Sequence, residues 1–376
     1  MEVILAADSP LALTPSERAV ADVVRREGPI PRSDVTDLTV LSQQSVHRLI
    51  DGLIDKRLMT LGPPMVRGRG KPSRQIQLNG EGATSFGLCI NTDVVTLIAV
   101  DLTGAVLQIV DLDANPNDRS AVAGEVDDVT RDILRQLALD PGRVAGLGVS
   151  MQGYRTHSRT CFWTPDILDA WADIPVDELF RDVVEFPVFV ENNATCGAIA
   201  ELFSGVGIEH DCFGYLSFNY GFGGGVIWNG QPVYGSRWNA GELGKVFTHD
   251  QMPHRPALGE LIERLSRHGI HVNSVKALRA AFDPDWPGVQ DWLEEVSPQI
   301  NLIIRTLTAI LDPSVVVFGG EAPERLKALL VGICETPIID RDGRLYPTPE
   351  LVSSRIDGDP ATLGAAMIPL KSLIFV

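Results

Sequence analysis

Between positions 213 and 245 a hydrophobic strand pattern runs into Asn219-Tyr220-Gly221-Phe222-Gly223-Gly224-Gly225-Val226-Ile227 and then, past Gly230, into Gly241-Glu242-Leu243-Gly244-Lys245. Glycine costs backbone entropy, so a cluster of it around a strand serves φ > 0 turns or an approach too close for a Cβ. Two uses fit that need: tight strand-turn-strand packing in an α/β core, or a wall against a ligand. Farther upstream, Glu191-Asn192-Asn193 follows the apolar stretch 183–190, and Met151-Gln152-Gly153 ends the apolar stretch 144–150. Polar residues placed just after a buried strand are where α/β folds keep their ligand contacts. A different chemistry is written near the start. Residues 56–80 hold Lys56, Arg57, Arg67, Arg69, Lys71 and Arg74 and no acidic residue. Such a patch suits a phosphate backbone, because the field of a charge is screened beyond about 8 Å at physiological salt.

The balance of the whole chain sharpens that contrast. Its 376 residues carry a net charge of −17. Residues 1–80 hold 11 basic and 9 acidic side chains, so the excess of negative charge lies entirely in the remainder. The length calls for two or three domains, and 44% apolar residues exclude wholesale disorder. No apolar run approaches a span of about 20 residues, and residues 1–12 lack the basic start of a signal peptide. A cytoplasmic protein without a membrane partner is expected. Cys89, Cys161, Cys196, Cys212 and Cys334 are odd in number and widely spaced; reduced thiols, and no structural zinc site, follow.

The elements that must position these residues begin with a helix. Thr14 is a cap, Pro15 occupies the first helical position and Glu17 stands three residues after the cap, a capping box that Gly28-Pro29 terminates. A short helix over 32–38 precedes a third, capped by Ser42, with Val46, Leu49, Ile50 and Leu53 at helical spacing. Residues 59–61 and 74–78 read as strands around a basic, Gly- and Pro-rich turn. Three helices and a basic hairpin make a winged helix-turn-helix over 1–80. In that geometry Ser42, Gln43, Gln44, Ser45, His47 and Arg48 face base edges in the major groove of double-stranded DNA, while Arg67, Arg69 and Lys71 on the wing meet phosphates or the minor groove. A small helical packing domain with a solvated basic loop is the plainer alternative. From Ser85 onward the pattern changes to strands at 86–90, 94–101 and 105–109, a helix at 128–138, strands at 144–150 and 183–190, and a small-residue helix from Cys196. After the glycine-rich segment come helices at 258–267 and 289–311, a strand at 314–318, a helix at 322–330, a strand at 351–356 and a helix at 361–368. Two successive β-β-β-α-β-α-like blocks predict a duplicated α/β core with a cleft between its halves.

Several separated motifs occur in the order of one known family: Gly148-Val149-Ser150-Met151-Gln152-Gly153, Thr164-Pro165-Asp166, Glu191-Asn192-Asn193-Ala194, Gly221 with Gly223-Gly224-Gly225, Gly235 with Ala240-Gly241-Glu242-Leu243-Gly244, Gly319-Gly320 and Gly364-Ala365-Ala366. Together they resemble the ROK family of repressors and sugar kinases over nearly the whole chain. The resemblance implies an α/β, two-lobed actin-like ATPase fold, here preceded by the α+β winged helix-turn-helix of the regulator branch. It places the first lobe at 81–195 and the second at 196–376, with the last helix able to return to the first. The kinase branch carries Asp-x-Gly-Gly-Thr where this chain has Cys89-Ile90-Asn91-Thr92-Asp93, and a catalytic aspartate where it has Asn193, an amide that cannot take a proton. Lys245 stands where the family has a zinc-binding histidine, and no cysteine occurs in 213–333, so neither the metal nor a nucleotide cofactor is expected, and His249 and His254 read as surface residues.

Other contacts implied by the resemblance persist: Gly153, Asp166, Asn192, Asn193, Glu242 and Glu260 would bind a small polyol or sugar, and Lys245 would favour an acidic or phosphorylated one unless it pairs with Glu242 or Glu260. The expectation is a homo-oligomeric, dimeric or tetrameric, sugar-responsive repressor that binds a DNA operator and has no catalytic residues. A sugar kinase with a fused DNA-binding domain and a ligand-independent DNA-binding protein are the rivals.

Overall fold

The computed structural model describes residues 9–65, 73–334, 338–339 and 341–376. Helix α1 (Pro15–Glu27) opens with both halves of the Thr14/Glu17 capping box formed. After strand β1 (Ile30–Pro31) come α2 (Arg32–Asp37) and α3 (Gln43–Asp55), the latter capped by Ser42. Strands β2 (Met59–Met65) and β3 (Ser73–Leu78) form a hairpin, and β1 adds to β3 in an antiparallel sheet of order β1-β3-β2. A two-residue strand is too short to show in a pattern, and β1 was not expected. Arg67, Arg69 and Lys71 lie outside the described residues.

The rest of the chain is built twice from one plan. In the first sheet β4 (Thr84–Ile90), β5 (Val95–Asp101), β6 (Val106–Asp111), β7 (Val144–Met151) and β10 (Val188–Asn192) lie in the order β10-β7-β4-β5-β6. Between them run α4 (Arg119–Gln136), the small hairpin β8 (Tyr154–Arg155) with β9 (Phe162–Trp163), and α5 (Val176–Arg181), and α6 (Asn193–Ser204) follows β10. In the second sheet β11 (Phe213–Phe218), β12 (Phe222–Trp228), β13 (Gln231–Pro232), β14 (Val315–Gly320) and β17 (Glu350–Ser353) lie in the order β13-β12-β11-β14-β17. Counting strands within each block, both sheets read 3-2-1-4-5, with the first three antiparallel and the last two added in parallel. Helices α7 (Leu258–Arg267), α8 (Val275–Ala281), α9 (Val289–Leu311) and α10 (Glu324–Gly332), the short pair β15 (Ile338–Ile339) and β16 (Leu345–Tyr346), and α11 (Pro360–Leu373) complete the second block. Helix α4 starts nine residues before the expected 128: Asp118 caps it, and Val122, Ala123 and Val126 are buried around the exposed Gly124.

The two blocks are locked by an exchange of helices. Helix α6, which ends the first block, packs on β11 and β12 of the second, whereas α11, which ends the second, packs on β4 and β7 of the first and against α6. Their small residues permit this: a Cβ on Gly364 would lie 1.7 Å from the Cys196 carbonyl oxygen, and one on Gly148 1.9 Å from that of Ala365. Both neighbours are backbone and cannot yield. Gly364→Ala is therefore expected to destabilise the fold by about 1–3 kcal/mol, read as a lowered midpoint in urea. The apolar core of the N-terminal unit, with Val20, Val24, Val46 and Ile50, is continuous with Ala365, Ile374 and Phe375 around α11. The N-terminal unit is thus seated on the body through packed side chains.

Candidate functional site

The C-terminal ends of β4, β7, β10, β11 and β14 converge between the lobes, and the cleft they line divides into two halves of different chemistry. On the side of the β4 turn a network of buried amides crosses from lobe to lobe. Gln152 Nε2 donates to Asn91 Oδ1 (2.9 Å), Asn193 Nδ2 reaches the same oxygen (3.4 Å), Asn219 Nδ2 donates to Asn193 Oδ1, and Asn219 Oδ1 accepts from the Glu321 amide (2.9 Å). Asn91 Nδ2 and the Cys89 thiol both donate to Asp359 Oδ2, at 2.9 and 3.3 Å. Each amide side chain is nearly inaccessible to solvent, so its polarity is spent on its neighbours. Burial pushes the Glu321 carboxyl well above the usual carboxylate range, with Asp359 and Asp93 adding to the effect, and its Oε2 atom has no partner. Across the cleft mouth the Lys276 amide on α8 donates to Asp93 Oδ2 (2.7 Å), and Lys276 Nζ meets Asp111 at 2.7 Å. Backbone N–H groups and cations hold a triphosphate; this half offers filled amides and the carboxylates of Asp93, Glu321 and Asp359 instead.

The opposite half keeps free polar groups. The segment 235–241 turns through positive φ at Gly235, Trp238 and Gly241 and delivers Glu242 and Lys245. Burial raises the Glu242 carboxyl, while Lys245 and Arg155 pull the other way. Lys245 Nζ lies 4.4 Å from the centre of the Tyr154 ring. The internal ion pair left open by the sequence is absent: Glu260, in the first turn of α7, pairs with Arg255 at 3.0 Å, and Lys245 has no carboxylate partner among the described residues. Two residues that sequence reasoning missed hold this half together. Arg155, 4% exposed, forms a buried ion pair with Glu191, 2% exposed, and donates to the carbonyls of Arg159 (2.8 Å) and Trp238 (2.6 Å). Asn239 grips the Arg155 backbone from the second lobe, Oδ1 accepting its N–H (2.8 Å) and Nδ2 donating to its carbonyl (2.9 Å). Glu191, a carboxylate at the end of the apolar stretch 188–190, was the available signal, since such a group is buried only when paired; Arg155 and Asn239 lie in polar turns and gave none.

The remaining predicted residues divide. Asn192 caps α6, its Oδ1 accepting from Ala194 (2.8 Å) and Thr195 (3.2 Å) while Nδ2 donates to the Gly153 carbonyl (2.7 Å). Gly153 is fixed by space, since a Cβ there would sit 2.1 Å from the Trp163 carbonyl oxygen. Asn193 belongs to the amide network and Asp166 is exposed at the start of a 3-10 turn, Asp166–Trp171, without a hydrogen bond to the others. Of the glycines, Gly224 and Gly225 serve packing, with Leu243 and Ala198 where a Cβ would go, whereas Gly221 faces open space. His254 pairs with Glu295, and no group of three or more metal-ligating side chains occurs among the described residues.

On the N-terminal unit, Gln43, Gln44 and Arg48 are exposed and His47 is half-exposed on the first turns of α3. Ser42 and Ser45 bond to each other in the cap (Oγ to Oγ 2.9 Å), which makes them structural before they are anything else.

The cleft and the doubled sheets agree with what the comparisons find. A model described as the ROK family matches residues 87–371. The chain belongs to the ROK family. Among similar solved structures is a ROK transcriptional regulator, a homologue of the E. coli MLC protein, 19% identical, covering 96% of each chain with a TM-score of 0.71. A ROK glucokinase from Streptomyces griseus, solved with glucose and AMPPNP, is 18% identical over 76% of this chain and 98% of its own, with a TM-score of 0.60. The fold is therefore the two-lobed actin-like fold shared by ROK kinases and regulators. Among curated relatives, y4fQ of Sinorhizobium fredii is 24% identical over 96% of this chain and 92% of its own. The xylose repressor of Bacillus subtilis is 23% identical over 63% of this chain and 62% of its own. In this ROK chain Asn193, expected from the resemblance at the place of the kinase base, is a buried amide. No helix among the described residues is long and apolar enough to cross a membrane.

Proposed function

We propose that this protein is a DNA-binding transcriptional regulator of the repressor type whose operator affinity is set by a sugar or sugar derivative in the Glu242 half of the cleft, and that it transfers no phosphate. The observation that carries the reading is the division of the cleft: the phosphate side is filled by its own amides and carboxylates, while the sugar side presents Glu242 and Lys245, whose side chains make no hydrogen bond or ion pair among the described residues. The relationship to xylose repressors and to an MLC-like regulator supports it. Residues 1–80 act as the DNA-binding head, 81–195 and 196–376 as the lobes, and a homo-oligomer presents two heads to a palindromic operator. Arg67, Arg69 and Lys71 on the wing contribute phosphate contacts.

In the cleft, Glu242 accepts from sugar hydroxyls and Lys245 meets an acidic substituent. Glu260, paired with Arg255, contributes at the rim, while Asn192, Asn193 and Gly153 shape the floor. Asp166 stands apart and closes on the ligand only if the lobes move. A ligand regulates only by binding one arrangement of the protein better than the other. The test is a melting screen against neutral sugars, uronic acids and sugar phosphates, followed by operator binding with every ligand that raises the melting point. Operator affinity unchanged by each bound sugar would sink the inducer role. In the same assay Arg48→Ala is expected to cost about 1–3 kcal/mol of operator affinity and to relax discrimination at one base pair.

A further inference from the structure

A second cavity lies where the head meets the body, behind the Glu242 half of the cleft, with which it shares Glu191 and Arg159. It measures about 790 Å³, within the range of small-molecule sites, and it is bounded by the segment 11–14, α1, β10, the loop around Tyr234 and the last turns of α11. Leu11, Leu13, Val190 and Ile199 give it an apolar wall, and Arg18, Arg159, Arg181 and Lys371 supply cations. Its two acidic residues are already committed, Asp177 to Arg181 and Glu191 to Arg155. That leaves Arg18, Arg159 and Lys371 without a carboxylate within ion-pair distance among the described residues.

Each of the three is held in place by something other than a counter-ion. Arg159 stacks on the Trp238 ring at 3.9 Å. Lys371 Nζ donates to Gln231 Oε1 at 2.6 Å. Arg18 donates to the carbonyls that end α11, Nη2 to Lys371 (2.9 Å) and Nε to Phe375 (2.9 Å). Burial holds the Lys371 ammonium down to about 8, with Arg18 and Arg25 lowering it further and Asp22 opposing them. Arg18 and Lys371, partly buried against the apolar wall, are held at an electrostatic cost that an anion would relieve, and the exposed Arg159 adds a third cation at the edge.

We propose that this cavity is a second effector site, which takes a small organic anion with an apolar or sugar body. Arg18 makes the site regulatory. It is both a cation of the cavity and the hydrogen-bonded tie between α1 and the end of α11, so an anion that engages it competes with the Phe375 and Lys371 carbonyls and weakens the seat of the head.

The experiment uses the full chain, an operator duplex and four probes: inorganic phosphate, glucose 6-phosphate, citrate and octanoate. At least one probe should bind calorimetrically and shift operator affinity. Arg159→Gln and Lys371→Met should each weaken that probe about tenfold or more, the loss of one charge-assisted hydrogen bond, while Glu242→Gln leaves it unchanged. Without any probe, Lys371→Met should melt at or above the wild-type temperature. Failure of all four probes to bind overturns the proposal, as does binding that survives both cavity substitutions. A probe lost in Glu242→Gln but not in the cavity variants belongs to the interlobe cleft and overturns it too, without touching the function proposed for that cleft. If the probe's binding is confined to the cavity but operator affinity does not move, the effector role fails.

Discussion

Arg155→Ala is expected to lower the stability of the protein by about 3–5 kcal/mol, the usual cost of leaving one member of a buried ion pair alone. At 4% and 2% exposure neither Arg155 nor Glu191 has water to fall back on. Without the guanidinium, the Glu191 carboxylate keeps, among the described residues, only the Asn192 backbone N–H at 2.7 Å, and the carbonyls of Arg159 and Trp238 lose the Arg155 donors as well. Urea unfolding should show the midpoint drop, and sugars found to bind the wild type should bind more weakly, because the 235–241 segment loses the bond to the Trp238 carbonyl and is held to β8 through Asn239 and the backbone of residue 155. The double variant Arg155→Met with Glu191→Met distinguishes charge from packing. It should recover much of the lost stability, since a buried pair replaced by apolar groups of similar volume is often close to neutral. A double variant as unstable as Arg155→Ala would mean that the carbonyl contacts, not the ion pair, carry the effect.

Glu242→Gln has the largest expected effect on ligand binding, a loss of roughly tenfold to a hundredfold for any sugar that donates to it, in keeping with hydrogen bonds to a charged acceptor. Its effect on the free protein has the opposite sign. Burial raises the Glu242 carboxyl above its ordinary value, so the folded state favours the neutral form; the contribution to stability is fully present below the unfolded pKa and is lost as pH rises through the folded one. Removing the charge should therefore raise the ligand-free melting temperature at neutral pH and leave it little changed in acid. Sugar affinity of the wild type should fall as pH drops through that raised value, and the glutamine variant should show no such fall. Ligand affinity that is equally pH-dependent in both proteins would place the titrating group elsewhere.

Local chemistry was the part of the fold most legible in the sequence. The Thr14/Glu17 box, the Ser42 cap and the periodic apolar runs specify elements through contacts a few residues long, so they could be read without knowing what lies opposite. The doubled strand plan was visible for the same reason, as two similar runs of elements. What the sequence concealed depends on distant partners. Asn239 meets Arg155 across 84 residues, and Asn91 meets Asp359 across 268. Lys276 reaches Asp111 only because α8, unrecognised as a helix of seven residues, sits across the cleft mouth. Asn192 and Asn193 show the limit of reading a site by position. Both stand where ligand contacts were expected, yet one is occupied as a helix cap and the other as a link in the amide network. Glu242 and Lys245 keep the freedom that a binding role requires, because the segment that carries them is held by Asn239 and by tight glycine packing and not by their own side chains.

The tie between Arg18 and Phe375 spans 357 residues of sequence. At about 5–20 residues per second of synthesis, α1 emerges roughly 20–70 s before its acceptor exists. The capped helices of the head can form in that interval, but their seat cannot. During every round of translation the N-terminal unit therefore precedes the residues that seat it, and a change at Phe375 acts directly on the joint at α1.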